Sequence, residues 1–102
     1  MARINLGNGR WFDTKKAEQF GEDKRWNGNN HISVATGSQW DHEELYRTES
    51  GTWILHSWSQ WQGSTATYEI VDAATAQQWL IDNDHGDAVE RLFPGALAAA
   101  EV

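Results

Sequence analysis

Four histidines, His31, His42, His56 and His85, are the only imidazoles in the chain. Two of them draw attention because of a carboxylate run, Asp41-His42-Glu43-Glu44, with His56 not far along. Imidazoles grouped with carboxylates can hold a divalent metal or pass a proton. Whether they meet depends on strand register. Glu43–Glu49 and Thr52–Trp61 are both β-prone and flank Ser50-Gly51, which predicts a hairpin. A two-residue loop at Ser50-Gly51 sets His56 opposite Leu45 and His42 opposite Ser59. Side chains alternate faces along a strand, so this register sends His42 and His56 to opposite sides, and only a bulge reunites them. The sequence has no HExxH, no His-x-His and no helix with paired carboxylates. The expectation is no metal and no cofactor.

Covalent chemistry finds little support. The chain has no Cys, which excludes disulfides and thiolate zinc sites. It has no GxSxG and no Ser placed beside a His–Asp pair. Gly7-Asn8-Gly9 is a Gly-x-Gly, but it sits between two strand-like dipeptides rather than before a helix, so it cannot offer helix amides to a phosphate. These absences predict a protein that is not an enzyme.

Tryptophan is the compositional anomaly, with seven in 102 residues. Trp53, Trp58 and Trp61 crowd into TWILHSWSQWQGS. Trp53 and Trp79 are expected in the core. Trp58 and Trp61 are three apart and cannot share a strand face, so at least one belongs on the surface. Exposed Trp among polar groups is typical of interface hot spots. Trp58 and Trp61, with the acidic group Asp41, Glu43 and Glu44, are therefore the predicted partner-binding residues. A rival use of Trp, stacking single-stranded bases, needs a basic groove. Only Lys15, Lys16, Lys24 and Arg25, beside Trp11 and Trp26, could form one.

Charge is unevenly distributed around a net of −7. Residues 1–25 carry six Lys/Arg and four acids, whereas residues 26–102 carry two Arg and eleven acids. A second acidic group, Asp82, Asp84, Asp87 and Glu90, lies near the C-terminus. Such a surface repels phosphate backbones and attracts basic proteins. Nucleic acid is accordingly not the expected partner. MARINLGNGRW lacks a secretory pattern, and no apolar run approaches the ~20 residues that cross a bilayer. A cytoplasmic protein that does not enter membranes is expected, folded as a single domain over residues 1–102.

The elements that must position these residues follow from periodicity. Arg3–Leu6 and Trp11-Phe12 flank Asn8-Gly9 as a hairpin. Asp13 or Thr14 caps a short predicted helix through Phe20, ended by Gly21. Residues 22–30 read as a flexible polar loop, His31–Thr36 as a short strand, and residues 37–42 as a loop. Thr52–Trp61 has large apolar groups on both faces, which predicts a central strand covered on both sides. Gln62-Gly63-Ser64 turns the chain into a further strand, Thr65–Val71. Asp72 caps a helix whose Ala73, Ala76, Trp79, Leu80 and Asn83 share one side. A second helix runs from Gly86 to Phe93, stopped by Pro94-Gly95, and the Ala-rich tail adds one frayed turn. The fold class expected is α+β: an antiparallel sheet of three to five strands with one or two C-terminal helices packed on one face.

Three segments resemble a family of small uncharacterised bacterial proteins, many of them carried by mobile elements. NGRWFDTKKAEQF is similar to the family's G-x-x-[YF]-D-T-x-x-A opening. LYRTESGTWILH is similar to its LYRT-x-x-G-x-[FW]-[FI]-L-H hairpin, and YEIVDAATAQQWLIDNDH to a strand followed by A-x-x-W-L on a helix. The likeness spans Gly9 to Phe93 in matching order. It departs at Ser57-Trp58-Ser59-Gln60-Trp61, where the family has a Gly-rich stretch. The resemblance implies an accessory role in a bacterium and assigns no catalytic residue. With the Trp and charge patterns it gives the expected function, a non-enzymatic protein-interaction domain. An alternative is an inhibitor of a basic defence protein that mimics nucleic acid, in the manner of anti-CRISPR proteins. A further alternative is single-stranded nucleic-acid binding through exposed Trp.

Overall fold

A computed structural model describes residues 3–26, 28–61, 63 and 65–102. Its centre is a four-stranded antiparallel sheet of β3 (Glu18–Gly21), β6 (Asp41–Arg47), β7 (Trp53–Ser59) and β8 (Thr67–Val71), in the order β3-β6-β7-β8. Two hairpins flank it, β1 (Arg3–Gly7) with β2 (Arg10–Asp13), and β4 (Lys24–Trp26) with β5 (His31–Ser33). Three short helices close the chain: α1 (Ala73–Asp82), α2 (Gly86–Leu92) and α3 (Ala96–Ala100). The α+β class and the antiparallel sheet are as the sequence implies.

The turn between β6 and β7 decides which side chains share a face. Thr48 N donates to Thr52 O at 2.9 Å, and Gly51 N donates to Thr48 O at 2.9 Å. The loop therefore has three residues, Glu49-Ser50-Gly51, with Gly51 at φ +89° in the left-handed region. A turn followed by a left-handed glycine is the common three-residue hairpin, and it shifts the pairing by one from a two-residue loop. Arg47 faces Trp53, Leu45 faces Leu55, Glu44 faces His56 and His42 faces Trp58. The expected partners of His42 and His56, Ser59 and Leu45, are thus corrected. A one-residue change of register exchanges the faces of one strand relative to the other.

One face carries Phe20, Leu45 and Trp53, packed under Ala76, Trp79 and Leu80 of α1 and Ala88 and Val89 of α2. Asp72 caps α1 as predicted, its Oδ1 accepting from Thr75 N at 2.8 Å. The other face carries Tyr46 and Ile54, covered by Phe12, Ile4 and Leu6 of the first hairpin and by Ala17. That second layer covers only part of its face; cover on both sides of β7 is as its two apolar faces imply, and the first hairpin supplies it. Its cause is Phe12, whose ring lies 5.3 Å from Tyr46 and 6.0 Å from Tyr68.

Further expectations are overturned, among them the loop over residues 37–42, whose last two residues open β6. The helix predicted from Asp13 or Thr14 to Phe20 is one turn, in which Asp13 O accepts from Lys16 N and Ala17 N and Asp13 Oδ1 from Lys15 N. Helices this short are marginal alone. Pairing Glu18–Gly21 with β6 makes ladder bonds and buries Phe20 against the helices, so tertiary contacts win. The polar loop predicted over residues 22–30 contains β4, which pairs with β5. Asn27, within that predicted loop, and Gln62 and Ser64, within the predicted turn before β8, lie outside the described residues.

Gly51 has no steric obstacle except its own backbone conformation. Gly51→Val should destabilise the fold by about 1–2 kcal/mol in urea unfolding, and Gly51→Asn should cost clearly less, because Asn tolerates this conformation.

Candidate functional site

The first hairpin leaves the Asp41–Ser59 end of the sheet uncovered, and most of the predicted site residues gather there. On the face shared with that hairpin, the true register brings His42, Glu44, His56, Trp58 and Tyr68 together. The expectation that the two histidines point apart is therefore wrong, and its physical cause is the third loop residue. Glu22 bonds His42 Nδ1, and Glu44 Oε1 bonds His56 Nδ1 at 2.8 Å. Opposite a carboxylate, each Nδ1 carries the proton and donates.

These pairs are held from behind. Tyr46 OH donates to Glu44 Oε1 at 2.7 Å, and Gln19 Nε2 donates to Glu44 Oε2 at 2.6 Å. Glu43 N donates to Glu22 Oε2 at 3.0 Å, and the Ser33 hydroxyl donates to the same oxygen. Burial pushes the Glu44 carboxyl upward, but the hydrogen bonds from His56, Tyr46 and Gln19 together outweigh it and hold the group below its ordinary value of 4.5. Burial, reinforced by the Glu44 carboxylate, raises the Tyr46 phenol well above its usual range.

The rings stand side by side. His56 stacks on Tyr68 with centroids 4.1 Å apart and planes 2° from parallel, and on Trp58 at 4.7 Å. Trp58 also meets His42 at 5.6 Å. Both faces of His56 are thus covered by neighbouring rings, so that ring is not a stacking surface for a nucleobase. Each imidazole's hydrogen bond goes to a carboxylate, and no hydroxyl is bonded to either ring among the described residues. His42 Nε2 is buried without a partner among those residues. Among them no three metal-ligating side chains gather closely enough to hold an ion.

On the helix-bearing face the same end forms an open trough of about 550 Å³, with Asp41, Glu43, Ser57, Ser59 and Thr67 among its lining and no Lys or Arg. Glu43 is anchored there by Trp79 Nε1, which donates to its Oε1 at 3.0 Å. Asp41 is exposed. Asp41 and Glu43 share this face, whereas Glu44 lies on the other and is engaged within the ring cluster. The three predicted carboxylates are therefore not one patch.

The tryptophans divide as the core-versus-surface argument requires. Trp53 and Trp79 are buried, Trp58 is half-buried among the imidazoles, and Trp61 is 60% exposed. Trp61 does not stand alone. Trp40, 42% exposed, meets it with ring centroids 5.1 Å apart. Gln60 N donates to Trp40 O at 2.9 Å, which extends the β6–β7 ladder one pair beyond Asp41–Ser59 and sets the two indoles at the sheet's end. The sequence reading missed Trp40 because it lay in a presumed loop. Register alone does not single it out, because the observed pairing sets Trp40 opposite Gln60 and the two indoles meet one position out of line. Trp11 and Trp26 are also exposed, but they belong to separate hairpins, Trp11 under the Arg3 guanidinium and Trp26 against His31.

Glu44→Gln should lower stability near neutral pH. The native carboxyl titrates below its unfolded value, so its contribution is present above about pH 4.5 and is lost as pH falls through the native value. Melting temperatures of the two proteins should therefore differ most at pH 6–7 and converge toward pH 3. A constant gap across that range would contradict the hydrogen-bonded carboxylate. Comparison with family models, with curated proteins and with solved structures finds no match for this chain.

Proposed function

We propose that this protein is a non-enzymatic interaction module that docks a basic partner protein through the Trp40–Trp61 pair. The observation that carries the reading is that pair. Two large indoles lie together and exposed at the end of a sheet whose other large aromatics are mostly packed. Burying such rings on association is strongly favourable, and paired aromatics beside a polar rim are the usual anchors of an interface. Asp41 directly follows Trp40, and the trough beside it presents carboxylates and hydroxyls without a Lys or Arg. With eleven acids and two Arg over residues 26–102, this end complements a basic surface. An accessory role in a bacterium or its mobile elements, within the cytoplasm, accords with this reading. Inhibition of a basic nucleic-acid-binding defence protein is one form it could take.

Affinity capture from cells of the encoding organism tests it, with the captured protein then purified and titrated directly. Wild-type protein should retain a partner that the Trp40→Ala/Trp61→Ala variant loses and a Trp11→Ala control keeps. Binding should weaken steeply between about 0.05 and 0.5 M salt. Both indoles are exposed, so each substitution should change folding stability by no more than about 0.5 kcal/mol. Equal affinity of the double variant for the purified partner would refute the site.

A further inference from the structure

A sheet edge offers a second, independent surface. Strand β8 pairs with β7 along one side, and among the described residues no strand lies along the other. Its register with β7 is unbroken from Ser57–Thr67 to Trp53–Val71, without the bulge that often turns an edge away. Residues 65–72 contain no Pro and no Lys, two further devices that guard edges. The helices that follow pack on a face of the sheet and not along this edge. The main-chain N–H and C=O groups on the outer side of β8 can therefore pair with an extended chain.

Side-chain chemistry specifies that chain. Tyr68 and Ile70 lie on the face shared with Ile54 and His56, and Ile70 is 38% exposed. Thr67 and Glu69 lie on the opposite face and are exposed. Asp72 at the strand's end is also exposed, and no base occurs from residue 65 to residue 72. We infer that the outer edge of β8 receives an extended basic segment of a partner protein as a fifth strand, with apolar side chains beside Tyr68 and Ile70 and Lys or Arg beside Glu69. A second copy of this chain suits the edge less well, because it brings the same carboxylate and another net charge of −7. The inference stands on the edge alone and does not require the tryptophan pair.

The probe is a capped peptide of about seven residues alternating lysine and valine, titrated into the isotope-labelled full-length protein. Amide exchange should slow in β8, and shift changes should centre there. Methylating alternate peptide amides removes ladder donors while keeping the charge, and should weaken binding by about tenfold or more. Glu69→Lys should weaken binding of the lysine peptide and favour a glutamate–valine peptide. Trp40→Ala/Trp61→Ala should bind the peptide as wild type does, which separates this edge from the tryptophan site. Equal binding of the methylated peptide, or changes centred away from β8, would overturn the inference. So would protection of β8 on raising protein concentration without peptide, since that identifies a second copy as the occupant.

Discussion

The left-handed glycine at the β6–β7 turn governs the rest of the molecule. Gly51 at φ +89° lets three residues connect the strands. That length fixes Arg47 opposite Trp53, and every later pair follows down to Asp41 and Ser59. Were the loop one residue shorter, the strands would pair one step out, and the two sets of large side chains could not both lie on single faces. In the actual register, Leu45 and Trp53 meet Phe20 and the helices, while Tyr46 and Ile54 meet Phe12. Each layer thus becomes continuous. In so small a domain, neither layer alone would bury enough apolar surface to offset chain entropy.

The same constraint creates the polar cluster at the uncovered end. Two imidazole–carboxylate pairs, removed from most of the solvent, would be destabilising if left partly unpaired. Here Tyr46, Gln19, Ser33 and the Glu43 amide supply the remaining donors to the two carboxylates, and His42 Nε2 alone stays buried without a partner among the described residues. Stacking among Tyr68, His56 and Trp58 then fills the space above the strands. The cluster thereby extends the second layer with polar residues where the first hairpin stops. It also leaves the Trp40–Trp61 pair beyond it as the prominent exposed apolar feature of that end.

Much of this was legible in the sequence. Asn8-Gly9 marked the first hairpin, Asp72 marked the cap of α1, and the spacing of Ala76, Trp79 and Leu80 marked its buried side. Those signals are local, and local chemistry decides them. Register was not legible, because Ser50-Gly51 suits a two-residue and a three-residue loop equally well, and the choice rests on the Thr48–Thr52 hydrogen bonds. The segment from Asp13 to Phe20 misled for a related reason. Its cap and spacing favour a helical turn, and only pairing with a strand over twenty residues away makes Glu18–Gly21 extended. Of the predicted site residues, Trp61 and Asp41 are exposed at the sheet's end, Trp58 is half-buried, and Glu43 and Glu44 are each held by hydrogen bonds on opposite faces.

Because fold and site both depend on one pairing, interstrand nuclear Overhauser contacts between β6 and β7 in solution are the most direct measurement. Backbone contacts should link Glu44 with His56 and His42 with Trp58, and ring contacts should join His56 to Tyr68. Contacts linking Leu45 with His56 and His42 with Ser59 would instead show a two-residue loop, separate the imidazoles, and contradict the arrangement on which the ring cluster and the two packed faces rest.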